Sequence, residues 1–234
     1  MKPNLLVILI DDLRFDETSA SGHPYMKTPN IDRLAHEGAQ FLNAFHTTPL
    51  CSPNRASILT GQYASRHGII DNVGRDAMSH RLANYHLELK RLGYETAHIG
   101  KWHMGNDASP RPGYDHWLSF RGQGKIVHPV LWENGAEHGV EGYVTDILSQ
   151  RAVEYVRRKR DQPFALFLAH TPVKLAACNV TNLHSSIPPP VSPALAAHLA
   201  AHFSNRKMCS PPRTSWKFPR MRARTTTSAS RRPT

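Results

Sequence analysis

The sequence predicts a parallel α/β sheet covered by helices on both faces. Leu5 to Ile10 is an unbroken apolar run of strand length, the pattern of a strand buried on both sides rather than half-exposed. Tyr94 to Ile99 and Phe164 to Ala169 are further short runs of strand type. Between these runs lie segments with apolar residues at helical spacing, so strands alternate with helices as parallel pairing requires.

Each element carries its own local signal. Thr28-Pro29-Asn30 opens a helix whose Ile31, Leu34 and Ala35 share one face, with Pro29 at the first helical position and Gly38 just past the end. Ala39 to Phe45 reads as extended. Ser52-Pro53 starts a second helix that carries Ile58 and Leu59 and stops at Gly61. Leu82, Tyr85, Leu89 and Leu92 keep helical spacing up to Gly93, and the strand from Tyr94 leads into Gly100-Lys101-Trp102-His103. The clearest stripe is Val144, Ile147, Leu148, Ala152, Tyr155 and Val156, separated from the last strand by charged Arg157 to Asp161 and by Pro163. No internal repeat is present.

The chain has 234 residues, with 29 Lys plus Arg against 18 Asp plus Glu and a formal charge of +11. The excess is not spread evenly. All 18 acidic residues and 19 of the basic ones precede residue 162, so the body is nearly neutral. Residues 175–234 contain no Asp, Glu, Gly, Gln or Tyr but eight Pro and eight Ser, and their apolar residues keep no period. They read as a disordered or out-of-frame basic tail appended to an organised region, 1–174. A non-catalytic polyanion-binding arm is the competing reading of that tail. A nucleic-acid partner is not expected, because the charge sits on a segment without a groove or recognition helix.

No run of 18 apolar residues marks a membrane span, and no signal-peptide pattern follows Met1-Lys2-Pro3-Asn4. The expected location is cytoplasmic, with a missed upstream signal as the alternative. Cys51, Cys178 and Cys209 are odd in number and lack metal-ligand spacing, against a disulfide framework or a zinc cluster.

Ligands of open parallel sheets bind beyond the carboxyl ends of the strands, and three clusters fall there. Asp11-Asp12 follows the first strand; adjacent carboxylates repel unless a cation lies between them, and oxygen ligands suit Ca²⁺ or Mg²⁺. A solvated turn is the alternative. Lys101 and His103 lie two apart, so on an extended segment both project to the same face and suit an anionic substrate, or simply decorate the surface. Cys51-Ser52-Pro53-Asn54-Arg55 places Cys51 just before a helix amino terminus, where backbone N–H groups favour an anion and Arg55 adds a forked donor. A small buried cysteine ahead of an ordinary helix is the other reading.

Taken together, Asp11-Asp12, Thr28-Pro29-Asn30-Ile31-Asp32-Arg33-Leu34, the run from Cys51-Ser52-Pro53-Asn54-Arg55 to Gly61, and Gly100-Lys101-Trp102-His103 resemble the sulfatase family. The likeness continues through Arg111-Pro112-Gly113-Tyr114-Asp115, Gly142-Tyr143-Val144-Thr145-Asp146 and Pro163 to Ala169, covering about residues 1–174. It implies the amino-terminal part of a catalytic domain with an alkaline-phosphatase-like fold, truncated here.

By this resemblance, a maturation enzyme oxidises Cys51 to formylglycine. Asp11, Asp12 and the modified residue 51 bind Ca²⁺ (Mg²⁺ being possible in its place), Arg55 steadies the formylglycine hydrate, and Lys101 and His103 contact it and the sulfate. Asn54 replaces the Ser more usual in the family and leaves Cys51, Pro53 and Arg55 intact. The implied activity is hydrolysis of a sulfuric ester with release of inorganic sulfate, with phosphonate or phosphate ester hydrolysis as the alternative within the superfamily.

His170-Thr171-Pro172 matches a His-x-Pro segment of the family, but in relatives with an early histidine the functional one lies a few positions later, where this chain has Val173 and Lys174. His170 is therefore left outside the expected site. No acidic residue follows Asp161, so the tail cannot supply the family's further Asp ligand. Weak Ca²⁺ binding and little turnover are expected, along with a sheet edge and an apolar face left uncovered. Trp102, Trp117 and Trp132 could stack on a sugar, with buried packing the favoured role.

Overall fold

Six strands, β1 (Leu5–Ile10), β2 (Glu95–Gly100), β3 (His116–Ser119), β4 (Val130–Glu133), β5 (Ala136–Gly139) and β6 (Phe164–His170), form one sheet in the order β1-β6-β2-β3-β4-β5. The α-helices among the described residues are α1 (Pro29–Glu37), α2 (Cys51–Thr60), α3 (Ala64–His67), α4 (Asp76–His80), α5 (Tyr85–Arg91) and α6 (Val144–Arg157). This computed structural model describes residues 2–171; the expectations for the 175–234 tail lie outside the described residues.

The first four strands in the order are parallel: Leu5 pairs with Ala165 through to Ile10 with His170, and Glu95 with Phe164 through to Gly100 with Ala169. The two-residue period of a strand then sorts the core. Phe164, Leu166 and Leu168 of β6 join Ala97 and Ile99 of β2 under the Val144, Leu148, Ala152 and Tyr155 stripe of α6. Phe167 and Ala169 face the other way, toward Ala56 and Leu59 of α2 with Trp102, Tyr114 and Trp117. The predicted doubly covered sheet is therefore present, and β6, buried on both faces, explains its uninterrupted apolar sequence.

Three expectations need correction. Ala39 to Phe45 forms no strand, and Phe41, Leu42 and Phe45 are 83%, 81% and 85% exposed; an apolar extended segment becomes a strand only when a neighbouring edge takes its backbone donors and acceptors. The helix expected from Leu82 begins at Tyr85, because Asn84 caps it by accepting from the His86 backbone N–H at 3.1 Å. Strands β3 to β5 were not foreseen. The β4–β5 hairpin turns at Asn134-Gly135, with φ of 50° and 94°, the two positive values that an Asn-Gly turn supplies.

Strand β1 sits at the edge. Among the described residues it pairs only with β6, and Leu5, Leu6, Val7, Ile8 and Ile10 are 36–50% exposed. This corrects the reading of Leu5–Ile10 as a strand buried on both faces: among the described residues it is the uncovered edge of the sheet, and its apolar run does not report burial. No helix among the described residues is long and apolar enough to cross a membrane.

Candidate active site

Parallel pairing brings the carboxyl ends of β1, β6 and β2 side by side, so Asp11, His170 and Lys101 emerge at one edge of the sheet. Gly100 sets the last step before Lys101. Its φ is 115° and a Cβ there would meet the Ala169 carbonyl oxygen at 2.0 Å, so only glycine lets β2 run this close to β6. Lys101 N–H donates to that same carbonyl at 2.8 Å, which directs the side chain. Asp12 and His103 both adopt φ of 56°, a left-handed conformation that costs non-glycine residues free energy and collects at functional sites.

Helix α2 supplies the other half. Its cap Leu50 is extended and Cys51 is the first helical residue, rather than the residue before the helix. Ser52 Oγ donates to the His103 carbonyl oxygen, tying the helix start to the chain after β2, and Ser52 N–H donates to Asn72 Oδ1 at 3.0 Å, in the segment between α3 and α4. One turn on, Arg55 Nη1 donates to the Lys101 carbonyl oxygen at 2.6 Å and Nη2 lies 3.2 Å from Asp11 Oδ1. Lys101 Nζ donates to Asp11 Oδ2 and to Gln123 Oε1 at 2.6 Å, and lies 3.9 Å from Cys51 Sγ.

Arg55 and Lys101 are buried. Two buried cations face the Asp11 carboxylate, and the Asp12 carboxylate also acts on Arg55. Burial pushes the Asp11 carboxyl up, but Arg55 and Lys101 outweigh it and hold Asp11 below the ordinary carboxylate range. Burial also lowers the Arg55 guanidinium, opposed by Asp11. Such a cluster can neutralise an oxyanion presented to residue 51 without reorganising.

The structure brings together Cys51, Arg55, Lys101 and Asp11. Asp12 and His103 adjoin them in sequence, His103 buried and joined to α2 through its carbonyl oxygen. The two-apart spacing of Lys101 and His103 does not sit on a strand, since β2 ends at Gly100 and the chain turns at His103. His170 ends β6 opposite Ile10, and burial lowers its imidazole below the usual range. Asn54 bonds His46 at 2.8 Å instead of joining the cluster.

Gln123 was missed. Only its flanking glycines, Gly122 and Gly124, could have marked a tight loop there. Trp102 and Trp117 are buried in the core and Trp132 lies under Arg121 at 4.8 Å, so packing accounts for all three. Arg111 is likewise absorbed by the fold, donating to Ser79 Oγ at 3.0 Å and to the Asp107 carbonyl oxygen at 2.7 Å.

A mainly parallel, doubly covered sheet gathers a carboxylate, two buried cations and a helix-start cysteine beyond its strand ends, where α/β proteins of this class bind their ligands. Comparison with known proteins makes that class specific. The sulfatase family profile matches residues 3–171. The chain is 34% identical over 169 residues to the N-acetylglucosamine-6-O-sulfatase of Bacteroides thetaiotaomicron, covering 70% of this chain and 29% of that protein. It is 31% identical over 211 residues to the N-acetylgalactosamine-6-sulfatase of Homo sapiens, covering 73% of this chain and 40% of that protein.

A solved structure of a protein in complex with its substrate D-glucosamine-2-N,6-O-disulfate has a TM-score of 0.69 at 30% identity, over 82% of this chain and 40% of that one. The chain belongs to the sulfatase family. It spans 29% and 40% of the lengths of these two curated relatives.

Proposed function

We propose that residues 2–171 form the amino-terminal part of a sulfatase catalytic domain that hydrolyses a sulfate ester at residue 51. The observation that carries this is Lys101 Nζ, held between Asp11 and Gln123 and 3.9 Å from Cys51 Sγ, at the start of a helix. The two curated relatives and the solved complex all concern 6-sulfated amino sugars by name, which supports a sulfated carbohydrate as the substrate class.

Cys51 is the residue for a maturation enzyme to oxidise. Hydrated formylglycine would offer two hydroxyls: attack of one on sulfur breaks the S–O bond to the substrate alcohol, which leaves with a proton, and loss of the proton from the other breaks the C–O bond to sulfate, which leaves as the aldehyde re-forms. Arg55 and Lys101 then hold positive charge beside residue 51 before and after the step, so no dipoles need to turn as charge moves onto the sulfate oxygens. His103, at the turn after β2, would contact the sulfate, a role supported by the family resemblance of Gly100-Lys101-Trp102-His103.

The residues fit a hard cation in donor type but not in donor number. Asp11 and Asp12 offer carboxylate oxygens, yet Asp11 already faces Arg55 and Lys101. Among the described residues no group of three or more His, Cys, Asp or Glu side chains could hold a metal ion. Asp11, Asp12 and the oxidised residue 51 would hold part of a Ca²⁺ shell, short of its usual six or more oxygens. A cation there supplies neutralisation of sulfate oxygen charge. The 234-residue chain is accordingly expected to bind Ca²⁺ weakly and to turn over slowly.

Two measurements test the proposal. After co-expression with a formylglycine-generating enzyme, mass spectrometry should find the aldehyde at residue 51; a retained thiol removes the maturation step from the reading. Aryl sulfate and aryl phosphate are then compared as substrates. Sulfate release should exceed phosphate release and vanish in Cys51→Ala, and turnover that survives this substitution would overturn the assignment.

A further inference from the structure

Lys101 is fully buried, whereas Gln123, which accepts from its Nζ at 2.6 Å, is exposed. A side chain from the surface therefore reaches in to hold a buried ammonium. Gln123 lies in the loop between β3 and β4, flanked by Gly122 with φ of 53° and Gly124 with φ of 69°. A Cβ on Gly124 would lie 2.4 Å from the ring of Phe120, itself buried, and Gly124 N–H donates to the Arg121 carbonyl oxygen at 3.0 Å. Glycine at both flanks and the Phe120 packing fix the loop so that it delivers residue 123 to Lys101.

We infer that Gln123 is a positioning residue for Lys101. An ammonium has three donors and no acceptor; Asp11 Oδ2 takes one and Gln123 Oε1 another. The amide oxygen fixes the ammonium without adding negative charge. A carboxylate in its place would put two anions on one cation and cancel the charge that a sulfate oxygen needs. This inference rests on the proposed sulfate-ester reading of the same site.

The test is competitive labelling of the full chain with trace acetic anhydride, reading each lysine by mass spectrometry, with exposed Lys27 and Lys125 as references. Gln123→Ala should raise the Lys101 rate about tenfold, the effect of losing a charge-assisted hydrogen bond, and leave the references unchanged. Gln123→Glu, which keeps the oxygen acceptor, should retain the protection. If Gln123→Ala fails to fold, Gln123→Met keeps the side-chain length without the acceptor and carries the same expectation.

Inorganic sulfate supplies the second arm. It should shield Lys101 in the parent chain and not in Gln123→Glu, where the added carboxylate repels it. An unchanged Lys101 rate in Gln123→Ala, or a rise shared by all lysines, overturns the positioning role. If Lys101 responds to Gln123→Ala as expected but sulfate never shields it, the positioning role stands and the sulfate-ester reading fails.

Discussion

Asp11 answers to two cations at once, and that makes it the most consequential side chain of the site. Arg55, Lys101 and Asp11 have side-chain exposures of 2%, 0% and 9%, so water cannot replace a missing partner. Asp11→Asn should therefore cost about 3–5 kcal/mol, the penalty for stranding buried charge, as read by urea unfolding. Because the folded Asp11 pKa is lowered, its stabilisation is complete above the ordinary carboxylate value of 3.8 and is lost as pH falls through the folded value.

His98 and His86 act at higher pH. His98 is buried among Trp102, Trp117 and Phe167, and burial holds it well below 6.5; burial lowers His86 to about 3. Each stays neutral in the folded state while its unfolded counterpart takes up a proton below about 6.5. Stability should then fall by about 1.4 kcal/mol per pH unit for each histidine below that point. Urea midpoints at pH 7 and pH 5 check this, and equal midpoints would show that the histidines are not held neutral.

At the scale of elements, β2 is the strand on which the site depends. It carries Gly100 at the one position where the left-handed backbone and the Ala169 carbonyl together exclude a side chain. Gly100→Ala should lower stability by about 3 kcal/mol or more through backbone strain and displaced β6 pairing. The expected signature is a lower thermal midpoint together with a faster Lys101 acetylation rate, since Lys101 N–H bonds the same carbonyl. Elements with strong periodicity or an unbroken apolar run, namely β1, β2, β6 and α6, were legible in the sequence. The four-residue strands β3, β4 and β5 were not, because strands so short and mixed in polarity are defined by their neighbours; only Asn134-Gly135 announced a turn.

For the whole molecule the exposed edge decides behaviour. Strand β1 offers an apolar, uncharged edge that is unpaired among the described residues, the usual template for intermolecular pairing. The 234-residue chain should self-associate at micromolar concentration, and Ile8→Lys, placed where Ile8 is 50% exposed, should suppress it in light scattering. Scattering that is unchanged by the substitution would point to another surface. Calorimetry with Ca²⁺ belongs at this scale too, since tight binding would mean that donors beyond Asp11, Asp12 and residue 51 complete the shell.

Sequence alone determined the sheet's main strands, the helices α1, α2, α5 and α6 and the three clusters at strand ends, because apolar period and local caps are properties of contiguous residues; the short α3 and α4 carried no such signal. Asp11-Asp12, Cys51 to Arg55, and Lys101 with His103 could each be named as candidates, and their combination carried the family resemblance. Only the tertiary structure decided which of them meet. Parallel registry sets Asp11 and Lys101 at one edge although they are 90 residues apart in sequence, and Arg55 reaches both from α2. Gln123 joined the cluster without any signal of its own, because a hydrogen bond between distant residues depends on loop path and packing, which no local spacing encodes.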